Sequence, residues 1–205
     1  MDKCASNNEA RTQIIGRVAY VLREERATAT NIELAVGKAG IDRKSVIAAF
    51  GSMHGLILEM VSDLSGALIK PLQQHEKHHA LRDVLIEFGR LVVDAHSVSH
   101  LVSLYRIALT EATRHSGIGR EFFERGPGKL TTCLAQYLAR IATKSDGLQI
   151  DNPMRLADAF LSLLGDNLEI FDTTTIAGTP CAKGRSDAVI EAVEMFCRGV
   201  FAEAQ

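Results

Sequence analysis

Apolar residues recur every three to four positions along most of the chain, and they almost nowhere alternate as a half-buried strand would. Ile14, Ile15, Val18, Ala19, Val21 and Leu22 place one apolar stripe on residues 9–25, which predicts an amphipathic helix. A short second helix over 31–38 would start from Thr30 or Asn31, whose side-chain oxygens suit an N-cap. It would stop at Ala39-Gly40-Ile41, with Gly supplying the turn. Asp42 is placed to cap a third helix over 43–49, and Ser52 to cap a longer fourth that reaches Ile69 before Pro71. Past a polar stretch at 73–79, the period predicts helices near 80–95, 98–114, 118–125, 129–144, 152–171 and 186–203. Gly126-Pro127-Gly128 and Ser145-Asp146-Gly147 punctuate them, Asp151-Asn152-Pro153 is a helix start, and Thr173 to Gly184 reads as a loop. The expected fold is all-α: a three-helix N-terminal head over 9–52 and a larger C-terminal helical bundle over 53–205.

Composition narrows the function. With 46% hydrophobic and 23% charged residues, the 205-residue chain is an ordinary globular sequence and not a disordered one. A net charge of -2 argues against coating nucleic acid by bulk charge, so any nucleic-acid site must be a local patch. Met1 to Arg11 has no apolar core of a signal peptide, and no run approaches the ~18 apolar residues of a membrane span. Cys4, Cys133, Cys181 and Cys197 are scattered, as reduced thiols are. These features predict a cytoplasmic protein with no membrane partner.

Residues 30–50 have the helix–tight turn–helix spacing of a helix-turn-helix, a spacing shared by many packing corners. The residues that fill it are Thr30-Asn31-Ile32, Ala35-Val36, Ala39-Gly40-Ile41, Asp42-Arg43-Lys44-Ser45-Val46-Ile47, Phe50, and Ser52 with Leu56. Together with Ile14-Ile15, Val18 and Val21-Leu22, they resemble the N-terminal signature of TetR-family transcriptional regulators, with no insertion or deletion over 14–56. The C-terminal body resembles the AefR-like branch from about 98 to 201. It does so through Leu104-Tyr105-Arg106, Glu111-Ala112, Gly119-Arg120-Glu121-Phe122-Phe123, Leu134-Ala135-Gln136-Tyr137-Leu138 and Asp158-Ala159-Phe160-Leu161. The resemblance implies a homodimer that binds a palindromic double-stranded DNA operator and is released by a small ligand. Thr30, Asn31, Arg43, Lys44, Ser45 and His54 are then the DNA-binding candidates.

The head departs from the family pattern at four places. Lys44 replaces a Gly, Ile47 a Tyr, Ala49 a His, and Met53 the Lys that meets a phosphate. Ile and Met cannot bond phosphate oxygens, so DNA affinity should fall and its salt dependence flatten. Residues 1–60 hold eight Lys and Arg against seven Asp and Glu, a balance of only +1. A second expectation follows: a TetR-like dimer with weakened DNA affinity, acting as a small-molecule binding or protein-interaction module.

Other chemistry is sparsely signalled. His96 and His100 are spaced i, i+4, and Glu76-x-x-His79 has half of a di-iron pattern, but a helix face and a solvated turn are the simpler readings. No HExxH, phosphate-cradling glycine loop or nucleophile elbow occurs, so neither an enzyme nor a cofactor is expected. An interhelical effector pocket is the better candidate, lined by Phe88, Val92, Tyr105, Phe122, Tyr137 and Phe160. His96, Arg106, Glu111 and Asn167 would be its polar handles, and the lining predicts an apolar or aromatic effector. Wide apolar stripes at 155–171 and 189–201 suit a two-fold helical interface.

Overall fold

The computed structural model describes residues 2–24, 31–74, 80–98, 100–114, 117–143, 150–174 and 182–201, and their regular structure is entirely α-helical. The helices are α1 (Asp2–Glu24), α2 (Ile32–Lys38), α3 (Arg43–Phe50), α4 (Met53–Leu68), α5 (Lys70–Gln74), α6 (Leu81–Val98), α7 (Leu101–Arg114), α8 (Ile118–Arg125), α9 (Pro127–Ala142), α10 (Pro153–Thr174) and α11 (Ala182–Phe201). None of the described helices is by itself long and apolar enough to cross a membrane.

Local chemistry sets most helix ends. Asn31 caps α2 by accepting from the Leu34 N–H at 3.0 Å, Ser52 caps α4 by accepting from the Gly55 N–H at 2.9 Å, and Asn152 accepts from the Arg155 N–H at 3.0 Å. Asp42 has the extended backbone of an N-cap, but its side chain makes no capping bond; its carbonyl accepts from Ser45 and Val46 instead. The break between α2 and α3 falls at Gly40, whose φ of 65° is a conformation that side chains disfavour.

Three boundaries differ from the sequence expectation. α4 ends at Leu68, ahead of Pro71 as expected, but a further short helix follows at once: Pro71 lies in the first turn of α5, where its missing N–H removes no helical bond. Pro127 likewise opens α9 rather than punctuating a loop. The expected loop at 173–184 is shorter, because α10 continues to Thr174 and α11 begins at Ala182.

The chain divides into two compact units. The first comprises Met1–Ser65 with Val98–Pro127, and the second Gly66–Ser97 with Gly128–Gln205. In the first unit, Val18 and Leu22 of α1, Ile32 and Val36 of α2, and Val46 of α3 are buried in one cluster with Leu56, Ile57 and Met60 of α4, Leu104 and Ile107 of α7, and Phe122 of α8. Head and α7–α8 therefore share a core rather than meeting at a polar hinge. Two arginines brace it. Arg11 donates to the Ala49 carbonyl at 2.9 Å, pairs with Glu59 at 2.7 Å and lies over the Phe50 ring, while Arg17 donates to the Ala39 carbonyl. Ser103 of α7 donates to the Leu22 carbonyl at 3.0 Å, tying α7 to the end of α1.

The second unit is organised on three rings. Phe160 of α10 packs against Phe88 of α6, with centroids 6.4 Å apart, and edge-on against Phe196 of α11 at 4.9 Å. Gly89 permits this approach, since a Cβ there would sit 2.9 Å from Val189 Cγ1. Arg140 of α9 covers Tyr137 and donates to the Leu72 carbonyl at 2.9 Å.

Candidate DNA interface and effector residues

The DNA-binding candidates gather on one side of the first unit. An open depression of about 380 Å³ is lined by Asn31, Glu33, Arg43, Ile47, Ser52, Met53, His54 and Glu111, among others. Lys44 and Ser45 are exposed on α3 beside it. Thr30 lies outside the described residues. The helix-turn-helix spacing thus brings Asn31, Arg43 and His54 to one concavity, with the buried Val46 holding α3 from behind.

The electrostatics of that concavity are not what the sequence count suggests. Arg43 reaches Glu33 at 3.1 Å, and both side chains are more than half exposed, so the pair is weak and open to exchange for another partner. His54 Nε2 lies 3.2 Å from Glu111 Oε2, joining the first turn of α4 to α7. Glu111 is only 13% exposed, so its carboxylate is the less screened of the two. Two acidic groups, Glu33 and Glu111, therefore line the same depression as the DNA-binding candidates Asn31, Arg43 and His54. Of the head's cations, Arg11 and Arg17 are engaged in the fold and Arg43 is ion-paired. Glu111, outside residues 1–60, adds a negative charge that the +1 balance does not count.

The described effector candidates fall in both units. Tyr105, Arg106, Glu111 and Phe122 belong to the first unit, and Phe88, Val92, Tyr137 and Phe160 to the second. Tyr105 and Phe122 meet edge-on at 5.0 Å, and burial pushes the Tyr105 hydroxyl up to about 12. Arg106 is exposed, and Glu111 lines the same depression as Asn31, Arg43 and His54. Phe88, Val92, Tyr137 and Phe160 are all buried in the second unit. His96 and Asn167 lie on α6 and α10, and their side chains are outside the described residues.

Of the two histidine patterns, only the 96/100 pair falls on described backbone. His96 is on α6, whereas His100 falls in the break before α7, where its carbonyl accepts from the Leu104 N–H. The i, i+4 face is lost because the helix ends between them. His75, His78 and His79 lie outside the described residues. Burial, helped by the nearby Arg23 charge, holds the His100 imidazole down to about 4. Between about pH 4 and 6.5 the unfolded chain then carries a proton that the folded chain does not, so stability falls as pH drops through this window. His100→Gln should flatten the loss of stability between pH 6.5 and 4.5 in urea titrations; an unchanged slope would mean that His100 is not its source.

The AefR-like C-terminal domain of transcriptional repressors matches residues 83–199, more than half of the sequence. The chain belongs to the TetR family of transcriptional regulators. Solved structures share the fold. A TetR-family regulator from Mesorhizobium loti superposes with a TM-score of 0.75 at 16% identity, covering 94% of this chain and 97% of that one. The flavonoid-responsive regulator FrrA gives 0.66 at 23% identity, with 96% and 97% covered. The reduced form of NemR from E. coli gives 0.62 at 17%, with 91% and 96% covered. No curated protein sequence matches the chain. The matched family and the Mesorhizobium loti relative are described as transcriptional regulators, a class that is not enzymatic.

The contact between Glu111 and His54 was not legible in the sequence, because 57 positions separate them. No periodicity connects such a pair; only the packing of α7 against the head does.

Proposed function

We propose that this TetR-family protein is a ligand-responsive repressor that binds a palindromic operator as a homodimer. The observation that carries the proposal is the α2–Gly40–α3 unit, which presents Arg43, Lys44, Ser45 and Ile47 on the exposed face of α3 while Val46 anchors it. A helix presented this way fits the major groove, with Asn31, His54 and the exposed α3 residues facing the duplex. Residues 9–52 would form the DNA-binding domain and 53–205 the ligand-binding and dimerisation domain. The protein would work in the cytoplasm.

Dimerisation is supported by what α10 and α11 leave uncovered. Phe160, Leu164, Val189 and Val193 point into the unit's core, but Leu156, Leu163 and Ile190 are only half-buried and Met154 and Met195 are exposed. A two-fold partner would cover that remainder. The effector would be apolar or aromatic and would act through Phe88, Val92, Tyr137 and Phe160, with Tyr105, Phe122, Arg106, His96 and Asn167 as the further candidates. FrrA, which shares the fold, is flavonoid-responsive by name, and that supports an aromatic class. Because α4, α7 and α8 share a core with the head, an effector that shifts them would move α3 as well.

Glu33 and Glu111 favour a second reading, a dimer of low DNA affinity that acts as a small-molecule binding or interaction module. Fractionating genomic fragments over the immobilised full-length protein at low salt separates the two. Retention of a discrete fragment, released by an aromatic compound, supports the repressor; uniform or absent retention supports the module.

A further inference from the structure

On the operator-binding reading just given, one residue of α3 has a more specific part. Ile47 is 43% exposed, lies one turn beyond Arg43, and lines the same depression as Arg43 and Asn31. Ala48 beside it is exposed too, whereas Val46 is completely buried. The outward face of α3 therefore carries an aliphatic segment flanked by Arg43, Lys44 and Ser45. Ile47 can donate to no phosphate or base edge, and as a β-branched residue it has little rotamer freedom to lose on binding. Along the major-groove edges of the four bases, thymine's C5-methyl is the one methyl group; cytosine offers only a C5–H at the same place. An aliphatic side chain aimed into that groove buries the most apolar surface against a thymine.

We infer that Ile47 is a specificity-determining residue that buries a thymine methyl group, so that each operator half-site carries a T·A pair opposite it. Arg43 and Lys44, one turn earlier on α3, then contact neighbouring bases or phosphates. This assigns the position a base-reading role, although a phosphate-bonding Tyr occupies it in the pattern that the head otherwise resembles.

Deoxyuridine removes only the methyl and keeps every hydrogen-bonding group. The test selects a site from random duplexes with the full-length chain, then replaces its thymines one at a time. One thymine per half-site should weaken binding by about four-fold when replaced, the effect of one buried methyl. In Ile47→Ala the same replacement should cost less than about two-fold. Because Ile47 is exposed, that variant keeps the core intact. A selected site indifferent to every replacement would overturn the inference alone, as would a thymine equally sensitive in both proteins. Selection that enriches no sequence would overturn the operator-binding reading and the inference with it.

Discussion

Phe160→Ala should destabilise the protein by about 3–5 kcal/mol. The ring is fully buried and is the one that touches both Phe88 and Phe196, so its removal opens a cavity bounded by three helices. The loss has two parts: transfer of the ring, and the void that α6, α10 and α11 cannot close without breaking their other contacts. Phe123→Ala is the matched control, since that ring is 58% exposed, and its cost should stay within about 0.5 kcal/mol. Urea midpoints at constant m-value measure both. The result also bears on effector binding, because Phe160 is an effector candidate. A cost below about 1 kcal/mol would mean that the ring borders adaptable space rather than close-packed core.

Glu111→Gln should raise operator affinity by a few-fold per subunit at low salt, or about ten-fold for a dimer. The carboxylate lines the DNA-side depression, is largely shielded from solvent, and lies 3.2 Å from His54. The amide keeps a hydrogen-bonding partner for the imidazole while removing the charge that repels phosphate. Little stability should change, since a partly exposed pair contributes at most about 1 kcal/mol. The gain should shrink as salt is raised, because screening weakens the repulsion that the substitution removes. Binding isotherms at two salt concentrations, with thermal melts as a folding control, check it. An unchanged affinity would show that phosphates never come near this groove.

The helices and their caps were legible in the sequence because they rest on local rules. Asn31, Ser52 and Asn152 each bond an amide three residues ahead, and the apolar stripe of 9–25 holds Val18 and Leu22 in the core. What sequence could not show depends on distance or on competition between local rules. Pro71 and Pro127 can either end a helix or begin one, and only the backbone path decides. The i, i+4 spacing of His96 and His100 assumed one unbroken helix, whereas α6 ends at Val98 and α7 begins at Leu101. Charge counting treated the head's arginines alike, yet Arg11 binds Ala49 and Glu59 and Arg17 binds the carbonyl of Ala39. The expectation of a weak electrostatic footprint is sharpened accordingly: the acidic residues are not merely present but line the concavity itself.

The central proposal is that this head recognises DNA by sequence despite that charge pattern. Selection from random duplexes with the full-length protein at low salt tests it most directly. The proposal predicts enrichment of an inverted repeat whose half-sites are spaced by about one helical turn, or a multiple of it, as two-fold related α3 helices require. A pool that stays random after repeated rounds would contradict it.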